Sequence, residues 1–216
     1  MSRSTSGGGP ARRDAYHHGD LRNALIEAGT AVLGEAGVDG LSLREVARRA
    51  RVSPAAPYHH FAGKAELVGA IVSRGFQDFT AALHAGADAA GGGALQRLTG
   101  MGLAYVRFAV GNAQVFRLMF RPELRGEAGA GAAREAIAAA GDAAYQVFLD
   151  AVAAAVAEGS VRGPVEDAAI AAWSAVHGLS TLLVDGPANL GGRAPDELAQ
   201  VVILALGAGI AGDRMP

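Results

Sequence analysis

The sequence predicts an all-α protein of one or two domains, and three observations carry that prediction. Alanine is the commonest side chain, only 8 of the 216 residues are proline, and no stretch alternates Val, Ile, Thr and Tyr with the period of two that marks a strand. Hydrophobic residues make up 50% of the chain, ample for a sizeable core. With no cysteine, disulfides, thiolate metal sites and a cysteine nucleophile are excluded.

The formal net charge of −2 hides a division along the chain. Residues 1–77 carry ten Lys+Arg against seven Asp+Glu, and residues 78–216 nine against fourteen, so a net of +3 is followed by a net of −5. A basic head on an acidic body fits an anionic partner for the head.

Residues 1–16 are rich in Ser, Gly and Arg without periodicity and read as a disordered arm. Its Arg3, Arg12 and Arg13 read as solvated tail charges, with phosphate contact as the second reading. From Asp20, Leu21, Leu25, Ala28 and Val32 recur at helical spacing until Gly37 supplies a left-handed stop. Ser42-Leu43-Arg44-Glu45 is a capping box: the serine hydroxyl serves the Glu45 amide and the glutamate reaches back. Leu43, Val46, Ala47 and Ala50 form the apolar stripe of the helix it opens. Val52-Ser53-Pro54 then gives a turn, an N-cap and a proline at the first helical position, so a second short helix runs from Ser53 to Phe61.

Gly63 and Lys64 open a fourth helix that continues towards Ala85 on the apolar face of Leu67, Val68, Ile71, Val72, Phe76 and Phe79. The glycine-rich stretch Gly86 to Gly93 reads as the joint between head and body. Further helices are predicted over Ala94–Gly111, Ala113–Phe120, Ala132–Glu158, Val165–Val184 and Pro195–Ala211. The last two are apolar nearly all round, so both of their sides need burial, and the simplest second partner is the same pair from another subunit. The expected divisions are an arm (1–16), a helix-turn-helix domain (17–63), a connecting helix (64–85) and a body (94–213).

Two short helices around a tight turn, with small and polar residues on the second, suit a helix that approaches base edges in a major groove. Ala55 and Ala56 offer methyl contacts to thymine, and Tyr58 and His59 hydrogen bonds to phosphate or base. Lys64 is electrostatically misplaced at a helix N-terminus, and a bound phosphate would remove the conflict; a simply solvated lysine is the even alternative.

The segment Val52-Ser53-Pro54-Ala55-Ala56-Pro57-Tyr58-His59-His60-Phe61-Ala62-Gly63-Lys64-Ala65-Glu66-Leu67 resembles the signature of TetR-type repressors, and the likeness covers about residues 17 to 72. It implies that Arg44, Ser53, Tyr58 and Lys64 meet phosphates and that Ala55, Ala56 and His59 lie nearest the bases, with Pro54 also among the DNA-binding residues. Two features depart from the family pattern. Gly63 offers no polar N-cap, and Pro57 removes an amide and disfavours an α conformation at Ala56, so this helix is expected to start tightly. Tyr16-His17-His18-Gly19-Asp20-Leu21-Arg22 and Trp173-Ser174-Ala175-Val176-His177-Gly178-Leu179 are similar to a subclass with a Trp-His-Gly (WHG) C-terminal motif.

The resemblance further implies a C-terminal domain that binds an effector, making the fold a three-helix helix-turn-helix domain followed by a helical-bundle ligand-binding and dimerisation domain. Met101, Tyr105, Phe108, Phe116, Met119, Phe120, Tyr145, Phe148, Trp173 and His177 are the candidate lining of one apolar chamber. Residue by residue, such a set is more often core, and Trp173 and His177 at i and i+4 are more often a packed aromatic beside a hydrogen-bonded histidine. The expected partners are a palindromic double-stranded operator, a second copy bound through the last two helices, and a small effector.

No cofactor, metal site or catalytic residue is read from the chain. It lacks G-x-S-x-G, H-E-x-x-H, G-x-x-x-x-G-K and a G-x-G-x-x-G placed between strand and helix. The pairs His17-His18 and His59-His60 have neither the helical spacing nor the acidic company of a zinc site. No export or insertion signal is visible, since the longest apolar run, Val201 to Ile210, is about half a membrane span. A cytoplasmic protein without membrane partners is expected. The rival class is a helical protein-interaction module whose basic head binds an acidic partner.

Overall fold

The computed structural model describes residues 18–121, 131–186 and 190–211, so the arm at 1–16 lies outside the described residues. Among those described, the chain forms eight α-helices and one short 3-10 helix, with no strand. Helix α1 spans His18–Gly40, and its helical geometry breaks at Gly37, whose φ of 66° is open to glycine at little cost. Leu25, Ile26, Val32 and Leu33 on α1 are buried.

Helix α2 covers Leu43–Arg49 and starts at Ser42, whose Oγ accepts the Glu45 amide at 3.2 Å. Only that half of the expected capping box forms. The Glu45 carboxylate holds Arg48 Nε and Nη2 instead, at 2.8 and 2.6 Å, because the i, i+3 guanidinium offers a charge-assisted fork. The helix ends in a Schellman motif, with Arg51 N–H donating to the Arg48 carbonyl and Val52 N–H to that of Ala47.

The short helix predicted from Ser53 to Phe61 is corrected in type and length: it is a 3-10 helix over Ala56–His59. Its bonds run from Ala56 N to Ser53 O, Tyr58 N to Ala55 O and His60 N to Pro57 O. An α-turn would need the residue 57 amide to reach the Ser53 carbonyl, and Pro57 has none. The N-cap is Ala55, with no side-chain bond, so the expected capping role of Ser53 is not seen either.

Helix α3 runs over Lys64–Ala90, beyond the predicted end near Ala85. Gly86 therefore belongs to the helix, and the joint shrinks to Gly91–Gly93, with φ of 58° and 71° at the first two. The glycine at 86 serves contact rather than flexibility. Helix α4 (Ala94–Gly111) returns along α3, and a Cβ on Gly100 would lie 2.3 Å from the Gly86 carbonyl oxygen. Helix α5 (Ala113–Met119) crosses α3 at Gly75, where a Cβ would meet Val115 Cγ1 at 2.6 Å. Neither crossing admits a side chain at these glycines without displacement.

Helices α6 (Ala132–Ala157), α7 (Val165–Asp185) and α8 (Pro195–Ala211) complete the body. Both α6 and α7 are long and apolar enough to cross a membrane, yet they pack on α4 and on each other. Glu158 at the end of α6 accepts the Ala94 amide at 2.7 Å, placing a carboxylate on the positive end of α4, where Gly93 has no side chain to cap it. Arg107 on α4 grips Asp196 in the first turn of α8 at 3.0 and 2.9 Å. One contiguous apolar core runs from Leu25 in α1 through Phe76 and Phe79 to Ala199 in α8.

Candidate nucleic-acid interface and effector chamber

The head presents Arg44, Ser53, Pro54, Ala55, Tyr58, His59 and Lys64 as exposed residues, and Ala56 as half-buried. Their mounting is apolar: Pro57 and Phe61 are buried beneath them, and the Arg22 guanidinium carbon lies 5.3 Å from the centre of the Phe61 ring. Tyr58 is 56% exposed although it is a large aromatic, so no core packing explains its position.

Acidic neighbours divide the arginines of this region. Arg48 is held by Glu45 and Arg49 by Glu35, and hydrogen bonding to the guanidinium keeps each carboxyl below the ordinary glutamate range. Arg44 and Arg51 are exposed and have no ion pair among the described residues.

Lys64 has a partner that sequence alone did not suggest. Its Nζ donates to the Val38 carbonyl at 2.5 Å, just beyond the break at Gly37, an oxygen that also accepts the Leu41 amide at 3.2 Å. The lysine at the start of α3 thus complements the negative end of α1. An ammonium has three donors, so an anion can still be engaged. Glu66 closes the same corner by accepting the Ala62 amide at 2.7 Å, a role legible in sequence as an acidic residue three positions after Gly63.

In the body, most of the predicted aromatic set comes together as packed rings. Tyr105 stands edge-on to Phe116 at 6.1 Å, Phe116 neighbours Phe120 at 4.9 Å, and Tyr145 lies 4.7 Å from Trp173. Trp173 Nε1 donates to the Tyr105 hydroxyl at 3.2 Å, and that hydroxyl meets His177 Nδ1 at 2.8 Å. Because indole only donates, the Tyr105 oxygen is the acceptor towards Trp173, and the same hydroxyl joins that indole to the imidazole of His177. Met101, Phe108 and Met119 are buried in the surrounding core.

The space among Phe76, Phe79, Tyr105, Tyr145, Phe148 and Trp173 is only about 20 Å³, room for about one water. A larger chamber of about 330 Å³ lies beside it, between α4, α6, α7 and α8. Leu98, Gly102, Val176 and Ile203 line it, with Thr99 and Ser160 as its polar groups. Phe148 is the one member of the predicted set in this wall, and it also borders the smaller space. The other lining residues are aliphatic or small, and in sequence such residues are indistinguishable from core.

The profile described as "Bacterial regulatory proteins, tetR family" matches residues 25–71, and "Tetracyclin repressor-like, C-terminal domain" matches residues 98–206. No curated protein matches the chain in sequence. Among solved structures, a protein of unknown function from Rhodococcus sp. RHA1 is 34% identical, with 92% of this chain and 99% of that one covered and a TM-score of 0.78. A TetR/AcrR-family transcriptional regulator from Thermobifida fusca is 20% identical over 91% and 100% of the two chains, with a TM-score of 0.65. AibR, solved with isovaleryl coenzyme A and operator DNA, is 18% identical over 88% and 97%, with a TM-score of 0.63.

Proposed function

Since the chain belongs to the TetR family of transcriptional regulators, we propose that it is a homodimeric repressor which a small, largely apolar effector releases from a palindromic operator. The observation that carries the DNA half is the head: polar Ser53, Tyr58 and His59 stand exposed on the buried base of Pro57 and Phe61. Arg44, Ser53, Tyr58 and Lys64 are assigned to phosphates, and Ala55, Ala56 and His59 to the base edges, with Pro54 also in the DNA-binding set. A body with the Trp-His-Gly motif and a cytoplasmic location belong to the same reading.

Dimerisation is supported by what α7 and α8 leave uncovered. Ile170, Leu182, Val201 and Leu204 are 57, 50, 45 and 70% exposed in the single chain, and packing against the same helices of a second copy would cover them. Two recognition segments would then face successive major grooves, about 34 Å apart.

The effector is assigned to the 330 Å³ chamber, a size that suits a small ligand, with an almost wholly apolar wall that selects an uncharged or hydrocarbon group. Phe148 would pass its arrival to the aromatic cluster, where Met101, Tyr105, Phe108, Phe116, Met119, Phe120, Tyr145, Trp173 and His177 make up the responding set. Helix α3 reaches from the head at Lys64 to the α4 crossing at Gly86, about 33 Å along the helix. A shift of α4 would tilt both heads and spoil their spacing, and its effect is bounded by the ligand's preference for the misfit state.

The test is to select duplexes from a random library with the purified protein, determine its mass in solution, and screen apolar compounds for release. A dimer that binds a palindrome with steep salt dependence, and is released by a compound that Phe148→Trp excludes, is the expected result. A monomer that binds no duplex overturns the proposal.

A further inference from the structure

Among the described residues, nine positions have positive φ; eight are glycine and the ninth is Arg51, at 56°. Among the described residues, every other turn with this conformation uses one of the chain's 31 glycines, and only the turn between α2 and the recognition segment does not. A side chain there is sterically disfavoured, so local folding argues against arginine. Packing does not argue for it either, because Arg51 is exposed and has no ion pair among the described residues, whereas Arg48 and Arg49 are held by glutamates.

Resting on the DNA-binding reading above, we propose that Arg51 is a phosphate-binding residue, seated in an unfavourable turn so that its guanidinium flanks the recognition segment. Arg51 is two backbone steps from Ser53, at most about 7 Å, and a guanidinium fork is the group best matched to a phosphodiester. The contact reads no sequence: it adds affinity for any duplex and one more counterion-releasing site per subunit.

The experiment compares the full-length parent with Arg51→Gly, Arg51→Gln and Arg51→Lys, using a duplex selected by the parent and a random-sequence duplex across a salt series. Arg51→Gly is expected to melt about 2–4 °C higher, since the turn is relaxed, and yet to bind both duplexes about tenfold more weakly. Its log–log salt slope should flatten by about 0.9 for each arginine lost. Arg51→Gln should lose affinity likewise without the gain in melting temperature, and Arg51→Lys should keep affinity within a few fold. If Arg51→Gly melts higher and binds both duplexes with unchanged affinity and slope, the proposal is overturned while the DNA-binding reading stands. If the parent binds no duplex, both fall.

Discussion

The Lys64 ammonium hydrogen-bonds the Val38 carbonyl across the corner where α1 ends and α3 begins, joining the negative end of one helix to the first residue of the next. Lys64→Ala should therefore have two effects. The exposed contact is worth up to about 1 kcal/mol, read as a lowered denaturant midpoint. Duplex binding should weaken for all sequences alike, with a flatter salt slope. A loss of stability with no change in binding would confine Lys64 to the corner.

Pro57 sets the form of the recognition segment, because the missing amide leaves the Ser53 carbonyl to a 3-10 bond from Ala56. Pro57→Leu restores a donor able to close an α-turn. The expected outcome is a change in the duplex sequences selected from a random library, larger than any change in affinity for random DNA. Identical selected sequences would show that the 3-10 turn does not govern base contacts.

At the α3–α4 crossing, a methyl on Gly100 would lie 2.3 Å from the Gly86 carbonyl oxygen, a backbone atom that cannot move without its helix. Gly100→Ala should cost about 1–3 kcal/mol through forced separation of the helices. Gly111→Ala, where the added methyl would meet nothing within 4 Å beyond its own helix and chain neighbours, is the control and should be neutral or mildly stabilising. Chemical denaturation of both variants checks this.

The Tyr105 hydroxyl serves Trp173 and His177 at once. Tyr105→Phe keeps the ring contacts but leaves an indole donor and an imidazole nitrogen without that partner. A loss of about 1–3 kcal/mol is expected, together with a shift in Trp173 fluorescence. Since the chain holds 1 tryptophan, the signal is unambiguous.

Acid should destabilise the fold through three carboxylates. Hydrogen bonding to Arg107 lowers the Asp196 carboxyl from its usual range, as Arg49 and Arg48 lower Glu35 and Glu45. A carboxyl with a depressed folded-state pKa adds stability that is fully present above its unfolded value, near 4, and is lost as pH falls through the folded one. The melting temperature should thus be level with respect to these groups from pH 7 to pH 5 and drop below about pH 4. Asp196→Asn should remove part of that drop, and cost under about 1 kcal/mol at neutral pH because the pair is solvated and screened.

Local rules made much of this legible beforehand. The apolar stripe of α1, the break at Gly37, the Ser42 cap and the limits of α4 and α8 follow from side-chain periodicity and cap chemistry, which act within a turn or two of chain. The short helix lies inside the expected Ser53–Phe61 span, but it covers only Ala56–His59 and is of the 3-10 type, for which Pro57 carries the reason. Gly86 misled for a different cause: a glycine that admits a neighbouring backbone and one that ends a helix look alike until the second helix is present.

By itself, the sequence determined an all-helical chain with a basic head and the residues that head exposes, because hydrophobic spacing, capping and charge are local properties. Tertiary structure alone decided that Lys64 meets Val38, that Tyr105 joins Trp173 to His177, and that an apolar space of about 330 Å³ lies beside them among mostly aliphatic side chains. Those outcomes depend on which distant surfaces meet and how closely, and residues 105 and 177 carry no local mark of the single hydrogen bond that joins them.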